Sequence, residues 1–277
     1  MRALAGEIGE RHLLRPRALA DAAAYLEHAL ASCGLGVASQ EFRAHGQAVR
    51  NLEIELPGSD HAEEVVVLGA HYDTVPGSPG ADDNGSGVAA LLEIARALRS
   101  ARPLRTVRCA FFVNEEPPWF QTEAMGSLRY ARRARERGDR VIAMLSLESI
   151  GYYSDAAGSQ QYPFPLGLGR PDRGDFLGFV ANRASRRLLR RVVDSFERQR
   201  LLPAQSAVAP GWVPGVSWSD HWAFWAHGYP AVLVTDTAPF RYPAYHTEAD
   251  TPERLCDEPF ARATAGLGAV ALALAGA

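Results

Sequence analysis

Lysine is absent from this chain of 277 residues, so all 29 of its basic side chains are arginine. We attribute this bias to a GC-rich genome rather than to a chemical requirement. The formal net charge is -3, which gives no electrostatic reason to expect nucleic acid or an anionic membrane as a partner. Acidic residues elsewhere balance the two arginine-rich segments, Arg129–Arg140 and Arg183–Arg200, which we therefore interpret as solvated helix faces.

Long apolar runs and cysteine are also scarce. No stretch approaches the ~20 apolar residues that are needed to span a bilayer. The first residues contain no apolar run of the kind that a secretory signal has. The three cysteines, Cys33, Cys109 and Cys256, are an odd number without metal-type spacing. We therefore predict a reducing, cytoplasmic location, although one disulfide is compatible with the count.

The hydrophobic content is high enough for a large core, at 47%. No linker or internal repeat divides the chain, so we predict a single domain, residues 1–277. Apolar residues at helical spacing predict helices at Pro16–Ser32, Gly87–Leu98, Leu128–Arg137, Ser185–Arg198 and Ala265–Ala277. Short apolar runs predict strands at Val49–Leu56, Glu64–Gly69, Thr106–Val113, Val141–Leu147, Asp175–Val180 and Pro230–Thr235. This alternation predicts an α/β fold, with a largely parallel sheet and helices on both faces.

Five widely spaced stretches carry side chains that bind metal ions, and three of them close a predicted strand. They are His71-Tyr72-Asp73, Asp82-Asp83-Asn84-Gly85-Ser86-Gly87, Asn114-Glu115-Glu116, Ser146-Leu147-Glu148 and Tyr245-His246-Thr247. In a largely parallel sheet, ligands bind beyond the carboxyl ends of the strands. We therefore expect His71, the Glu115-Glu116 pair and Glu148 to meet at one edge of the sheet.

Each stretch has an ordinary structural interpretation as well as a chemical one. The Asp82-Asp83 turn opens a helix and has the composition of an N-terminal cap, and Glu115-Glu116 resembles a solvated turn. Together, however, the stretches supply the nitrogen and oxygen ligands that zinc prefers. Consecutive carboxylates at a strand end point in different directions, so one of the pair can bind metal while the other moves a proton.

The combination of His-x-Asp, Gly-Ala-Asp-Asp-Asn-x-Ser-Gly, Glu-Glu and Tyr-His-Thr-x-x-Asp-Thr resembles the co-catalytic zinc aminopeptidase family. That family includes bacterial leucyl aminopeptidases, glutamate carboxypeptidase and glutaminyl cyclase. The resemblance extends from about Val65 to Pro252. It implies a three-layer sandwich with a central mixed, mostly parallel β-sheet, a peptide or aminoacyl substrate, and two zinc ions per chain.

The resemblance also implies a role for each candidate residue. Asp83 would bridge the two zinc ions, His71 and Glu148 would complete one of them, and Glu116 and His246 would complete the other. Glu148 departs from the family pattern, in which this ligand is usually aspartate. A glutamate is one methylene longer and can still bind, but the second ion could then be weaker or absent.

Two further residues have roles that the resemblance implies. Glu115 would be the general base, and Asp73 would orient His71 by accepting a hydrogen bond from its other ring nitrogen. The resemblance also implies a cis peptide bond between Asp83 and Asn84, which is rare before a residue other than proline.

Aromatic residues predict where the substrate's side chain binds. We expect an apolar pocket near the metals, built from Pro117–Phe120 and the aromatic residues Trp212, Trp218, Phe240, Tyr242 and Tyr245, although ordinary packing would explain the same residues. The segment Gly158–Gly174, rich in proline and glycine, is predicted to be a loop that borders the site. We assign Asp220, which precedes a predicted helix, as a cap or as support for a ligand.

Three other functions remain open. A related two-zinc family of exopeptidases and deacylases inserts a dimerisation lid between its last two ligands. The 98 positions from Glu148 to His246 could hold such a lid, but their α/β pattern and the short spacing from His71 to Asp83 favour an aminopeptidase. Glutaminyl cyclisation with one zinc uses the same scaffold. A catalytically silent binding protein is disfavoured, because every candidate ligand and the candidate base are present. The oligomeric state is not predicted.

Overall fold

One mixed sheet of eight strands organises the chain, and a computed structural model describes all 277 residues of it. The strands are β1 (Val37–Ala44), β2 (Gln47–Leu56), β3 (His61–His71), β4 (Arg105–Phe112), β5 (Arg140–Glu148), β6 (Leu177–Ala181), β7 (Ala204–Val208) and β8 (Ala231–Thr235). Their spatial order is β1-β2-β4-β3-β5-β8-β6-β7. The pairs β4-β3, β3-β5, β5-β8 and β6-β7 are parallel, whereas the other three pairs are antiparallel.

Helices cover both faces of this sheet. They are α1 (Pro16–Ala31), α2 (Gly85–Leu98), α3 (Gly126–Arg137), α4 (Arg186–Glu197), α5 (His221–Ala226) and α6 (Asp257–Ala275), and a π-helical turn spans Arg2–Ile8. Short 3-10 turns occur at Ala238–Phe240 and Pro252–Arg254. None of the helices combines the length and apolar character that crossing a membrane requires.

The burial of the central strand β3 explains its continuous apolar run, Val65–Leu68. Val66 and Leu68 belong to the larger core cluster, which includes residues of α1, α2, α4 and α6. Val65 and Val67 face the opposite way, into a smaller cluster with residues of α3 and α5. Because both faces are buried, the strand has no polar alternation. The predicted three-layer α/β sandwich with a mixed, mostly parallel sheet is thus confirmed.

All the predicted helices and strands are present, with ends shifted by at most a few residues, apart from the C-terminal helix, which begins earlier, at Asp257. The predictions omitted the edge strands β1 and β7 and the π-helical turn. Both strands lie at an edge of the sheet and are only partly buried. An edge strand that is only partly buried therefore needs neither an apolar run nor a strict alternation, and its sequence resembles a loop.

Candidate metal centre

The carboxyl ends of three adjacent strands bring most of the candidate ligands together. β3 ends at His71 and β5 at Glu148, while Glu115 and Glu116 follow the end of β4 by a few residues. His71 pairs with Phe112 across the parallel β3-β4 register, so the two strands end side by side. Parallel strands therefore deliver side chains that are far apart in sequence to one edge of the sheet, as predicted.

Asp83 lies between the two candidate histidines. Its Oδ1 is 3.2 Å from Nε2 of His71, and its Oδ2 is 3.0 Å from Nε2 of His246. The Asp83-Asn84 peptide bond is cis, as the resemblance implies. Burial alone would raise the pKa of Asp83, but the imidazoles of His246 and His71 lower it below its usual range. Each carboxylate oxygen therefore faces a different histidine, which is the arrangement of a bridging ligand.

Asn84 fixes this turn against the end of β5. Its Nδ2 donates a hydrogen bond to the carbonyl oxygen of Leu147 (2.8 Å). Its Oδ1 accepts from the backbone N–H of Gly87 (3.0 Å), at the start of α2, and from that of Ser149 (3.1 Å). The turn that carries Asp83 is thereby held in register with the strand that carries Glu148.

A carboxylate oxygen of Glu148 lies as close to Nε2 of His71 as a carboxylate oxygen of Asp83 does. Its Oε2 lies 3.2 Å from His71 Nε2 and accepts a hydrogen bond from Oγ of Ser219 (2.7 Å). Its Oε1 accepts from Oγ of Ser149 (3.1 Å). Burial and the nearby Asp83 raise the pKa of Glu148. The extra methylene of glutamate is thus accommodated, and two serines orient its carboxylate.

On the other side of Asp83, His246 meets Glu116. The distance from His246 Nε2 to Glu116 Oε2 is 3.3 Å, and the imidazole of His246 stacks on the ring of Tyr245 with centroids 3.8 Å apart. Burial and the neighbouring Asp83 raise the pKa of Glu116 to about 8. Although burial would lower the pKa of His246, the carboxylates of Asp83 and Glu116 raise it to about 10.

The spacing of these atoms fits two metal ions. The groups His71-Asp83-Glu148 and Asp83-Glu116-His246 each bring one nitrogen and two carboxylate oxygens together. Ligand atoms at about 2.0–2.1 Å from a tetrahedral zinc lie about 3.3 Å from one another. Four buried atoms of these residues have no hydrogen-bond partner: His71 Nε2, Asp83 Oδ1, Glu116 Oε1 and His246 Nε2. Buried polar atoms are rarely left unpartnered, so these are free to bind a cation.

A third combination, His71 with Glu115 and Glu116, is close enough to bind an ion but is looser. Glu115 Oε2 is 3.8 Å from His71 Nε2, compared with 3.2 Å for Asp83 and for Glu148. Burial raises the pKa of Glu115 well above its usual range, and the neighbouring Glu116 and Glu148 reinforce the shift. Glu115 therefore lies beside the centre with a carboxylate suited to accepting a proton.

The resemblance implies that the carboxylate of Asp73 accepts a hydrogen bond from His71, but in the structure this carboxylate binds mainly to backbone N–H groups. Its two carboxylate oxygens accept hydrogen bonds from the backbone N–H groups of Glu115 and Glu116, both at 3.1 Å. His71 Nδ1 is 3.2 Å from the backbone oxygen of Asp73 and 3.5 Å from its Oδ1. Asp73 thus contacts His71 mainly through its backbone, while its side chain fixes the Glu115-Glu116 turn. Its role in orienting His71 stays a prediction.

Arg11 is a residue of this region that the sequence did not reveal. Its guanidinium is fully buried and donates hydrogen bonds to the backbone oxygens of Tyr72 (2.6 Å), Pro79 (2.6 Å), Gly80 (2.8 Å), Gly9 (3.2 Å) and Leu4 (3.5 Å). Burial lowers the pKa of Arg11 to about 10, although Asp73 and Asp250 counteract the shift. Arg11 therefore joins the segment after His71 to the turn before Asp83. Bonds to backbone oxygens require no partner side chain, so no motif marks them.

Asp250 supports the bridging turn from the far end of the chain. Its Oδ1 accepts a hydrogen bond from the backbone N–H of Asp82 (2.8 Å), and its Oδ2 accepts from that of Asp83 (3.2 Å). The hydroxyl of Tyr242 also donates to Asp250 (3.2 Å). The aspartate of the Tyr-His-Thr-x-x-Asp-Thr motif thus fixes the backbone of the bridging residue.

Asp220 precedes α5 but does not cap it, because its side chain makes no hydrogen bond to the helix. The residue is completely buried, and burial raises the pKa of its carboxyl to about 7. Its neighbour Ser219 contacts Glu148 instead. Of these two adjacent residues, it is Ser219 whose side chain forms a hydrogen bond with a candidate ligand.

A cavity of about 400 Å³ opens beside the metal centre. Its lining includes Pro117, Phe120, Trp218, Phe240 and Tyr245 from the predicted aromatic set, and the Gly158–Gly174 segment borders it as expected. Three predicted aromatic residues are not part of the lining. The ring of Trp119 contacts His45 at a centroid distance of 4.3 Å, Tyr242 is buried against Tyr152, and Trp212 is 79% exposed.

Comparisons with known proteins agree with this fold. An Escherichia coli K12 protein, named as the uncharacterized protein YfbL, is 37% identical over 254 residues, which cover 88% of this chain and 77% of that protein. A probable leucine aminopeptidase of Arthroderma otae is 26% identical and is covered over 50% of its length. The chain therefore spans about half the length of that aminopeptidase.

Solved structures share the architecture at low identity. The LapA aminopeptidase of Legionella pneumophila superimposes with a TM-score of 0.76 at 20% identity, covering 99% of this chain and 69% of that one. A Zn-dependent exopeptidase from Parabacteroides distasonis gives 0.70 at 19% identity, covering 98% and 96%. The model of peptidase family M28 matches residues 51–271, and this chain belongs to that family.

Proposed function

We propose that this chain is a zinc-dependent aminopeptidase that hydrolyses the N-terminal peptide bond of its substrate. We assign one zinc to His71, Asp83 and Glu148, and a second zinc to Asp83, Glu116 and His246. The observation that carries the proposal is the placement of Asp83, whose two oxygens lie 3.2 and 3.0 Å from two different imidazole nitrogens. Membership of a peptidase family and the names of the relatives support the reaction class.

Bound zinc supplies Lewis-acid chemistry, since it polarises a carbonyl oxygen and lowers the pKa of a water ligand to about 7. The protein supplies the proton transfer. Glu115 accepts a proton from the attacking water and delivers it to the leaving amine. Glu115 must hold this proton between the two steps, and its buried carboxylate lies 3.8 Å from His71 Nε2, beside the metal centre. Asp73 keeps Glu115 in reach by binding its backbone N–H.

The decisive experiment combines metal analysis with an assay. Purified protein is analysed for zinc and then assayed on aminoacyl anilides and on their N-acyl counterparts, with and without chelator. We expect two zinc ions per chain and chelator-sensitive release from the free-amine substrates. A metal-free protein that does not respond to zinc would contradict the proposal. Removal of the acyl group from the N-acyl substrates, without turnover of the free-amine substrates, would identify a deacylase instead. One zinc per chain would exclude the two-metal assignment.

The cytoplasmic location, the absence of nucleic-acid and membrane partners, and the single-domain organisation also stay predictions. All three cysteines are free, so the one disulfide that their number would permit does not form within the chain.

A further inference from the structure

The cavity extends well beyond the metal centre. Its floor is a row of residues that runs across four neighbouring strands in one line of register. Glu148 on β5 pairs with Thr235 on β8, Thr235 with Gly178 on β6, and Gly178 with Gln205 on β7, and all four line the cavity. Strands lie about 4.8 Å apart, so the row from Glu148 to Gln205 is about 14 Å long. The cavity therefore leads from a candidate zinc ligand to the edge strand.

Apolar residues form much of the middle of this passage. Gly178 leaves no room for a side chain of its own, because a Cβ atom there would approach the backbone oxygen of Thr235 to 3.0 Å and the methyl carbon of Thr237 to 3.2 Å. The next row on the same face, Leu233, Val180 and Ala207, is apolar and also lines the cavity. A volume of about 400 Å³ is in the range of sites that enclose most of a small ligand. The cavity can thus hold an extended apolar group.

Arg170 marks the β7 end of the cavity. Its Nη2 donates a hydrogen bond to the backbone oxygen of Ser206 on β7 (2.9 Å). It is the only lysine or arginine in the lining, and it is half-buried without an ion-pair partner. The acidic residues of the lining are Asp83, Glu115, Glu116 and Glu148, all at the metal centre. One positive charge therefore lies at the end that is remote from the carboxylates.

The other arginine nearby is already engaged. Nε of Arg241 donates to Oε1 of Gln160 (2.8 Å), and its Nη1 donates to the backbone oxygen of Phe176 (2.9 Å). Arg241 is buried and does not line the cavity. Arg170, by contrast, uses one nitrogen for its bond to Ser206, which leaves the others able to bind an anion. A guanidinium binds a carboxylate in a two-point geometry, and partial burial strengthens the attraction.

We infer that Arg170 binds a carboxylate of the substrate, which an apolar segment separates from the bond that is cleaved. This inference rests on the proposed peptidase function and narrows its substrate class. Two parts of a substrate can supply the carboxylate: the far end of a long N-terminal side chain, or the free C-terminus of a short apolar peptide. The chemistry at Arg170 is the same in both cases, and the test distinguishes them.

Two matched substrate series test the inference with the zinc-loaded full chain. The first consists of amino acid anilides whose side chain ends, after five methylene groups, in either a carboxylate or a carboxamide. The second consists of trileucine with a free C-terminal carboxylate or a C-terminal amide. We expect only one of the two series to show a preference. In that series, the kcat/KM of the carboxylate member should be about tenfold higher than that of its amide counterpart, as a hydrogen bond to a charged group would give. The series that shows the preference identifies the part of the substrate that reaches Arg170.

Substitutions then assign the preference to one residue. Arg170→Gln is expected to raise KM for the preferred carboxylate substrate about tenfold, while kcat and the turnover of the neutral substrate stay within about twofold. Arg170→Glu should reverse the preference. The matched control is Arg173→Gln, since Arg173 is exposed, lies on the same loop and is not part of the cavity lining.

Three results would overturn the inference. The first is an equal kcat/KM for both members of both series. The second is an equal fall in kcat/KM for the neutral and the anionic substrate when Arg170 is replaced by Gln. The third is the same loss of preference in Arg173→Gln. The first two would leave the proposed function intact, because zinc-dependent turnover would persist. A complete lack of zinc-dependent turnover in every series would instead contradict the proposed function itself.

Discussion

The two ends of the cavity are built in different ways. At the metal end, side chains from the ends of three buried parallel strands are held by hydrogen bonds from distant segments, such as those of Asp250 to the backbone of Asp82 and Asp83. At the β7 end, the floor combines the polar Gln205 with the small or apolar residues Gly178, Val180 and Ala207. The edge strand there is short, and Arg170 makes one side-chain bond. The metal end has many mutual constraints, whereas the β7 end has few.

This difference predicts that the metal end carries out the reaction and that the β7 end selects the substrate. A metal centre requires its ligands to be held closely in place, and it tolerates little change. A cavity floor can exchange side chains without disturbing the strands that form it. Substitutions at the metal end should therefore lower kcat or metal content, and those at the β7 end should change KM and substrate preference.

Glu115→Gln should have the largest effect. The amide keeps the shape of the side chain but cannot accept the proton of the attacking water, so kcat should fall by roughly 10²–10⁴-fold. Zinc content should remain that of the unsubstituted protein. Steady-state kinetics and metal analysis measure both quantities. The matched control, Glu136→Gln on the exposed face of α3, should leave both unchanged. Near-normal turnover of Glu115→Gln with full zinc content would contradict the role of Glu115 as the base.

Arg11→Met should reduce stability and zinc affinity together. The substitution removes the Arg11 donor from five buried or partly buried backbone oxygens, of which those of Leu4 and Gly80 keep a backbone donor. Breaking such a buried network costs about 3–5 kcal/mol. Urea unfolding measures the stability, and competition with a chelator measures the zinc affinity of the folded protein. Arg11→Lys should recover part of both, while Arg15→Met, at an exposed position nearby, should change neither by more than about 1 kcal/mol. Unchanged zinc affinity in Arg11→Met would mean that Arg11 stabilises only the fold.

Asp73→Asn should weaken zinc binding by roughly 10–100-fold, which is typical when a group that supports metal ligands is replaced. One carboxylate oxygen becomes an NH₂ group, which cannot accept the bond from Glu115 or Glu116. Because this bond positions the base as well as a ligand, kcat at saturating zinc should also fall. If kcat were unaffected once zinc is bound, Asp73 would act only on metal affinity.

Ser219→Ala should have a smaller effect that is confined to one metal. Its hydroxyl donates to Glu148, which belongs to one of the two proposed sites. We expect the zinc ion of that site to bind about tenfold more weakly, and the other to be unaffected, as measured by titration with a chelator. Ser217→Ala is the matched control, because the Ser217 hydroxyl donates to the backbone oxygen of Gly211 and not to a ligand. An equal loss at both sites would show that the two ions are not independent.

The sequence predicted the metal end far better than the β7 end, for a physical reason. Metal coordination requires specific residue types, so His71 and Glu148 stand out at strand ends that are themselves marked by apolar runs. Asp83 stands out in the turn that opens α2. The supporting groups Arg11 and Ser219 are less visible. A hydrogen bond to a backbone oxygen or a carboxylate can come from many residue types, and the fold decides which one lies close enough.

The β7 end was poorly predicted because its elements lack a pattern. β7 has the sequence Ala-Gln-Ser-Ala-Val and is partly exposed, so neither an apolar run nor an alternation marks it as a strand. Aromatic residues were a partial guide to the cavity. Four of the seven predicted ones line it, whereas Trp119 is close to the metal ligands in sequence but packs against His45. The register that aligns Glu148 with Gln205 across four strands has no local signal at all, because it is set by tertiary pairing.

Val180→Ala should have the smallest effect and the most selective one. Val180 lies in the apolar row of the cavity floor, so its truncation removes contacts from a bulky apolar substrate while the metal centre remains intact. We expect KM for such a substrate to rise about tenfold or less, at the low end of what lost apolar contact does in a binding pocket. Zinc content and kcat should not change. Val193→Ala is the matched control, since Val193 is half-buried on α4 and packs into the larger core instead. A fall in kcat or in zinc content for Val180→Ala would show that the two ends of the cavity are mechanically coupled, and the division between chemistry and selectivity would then fail.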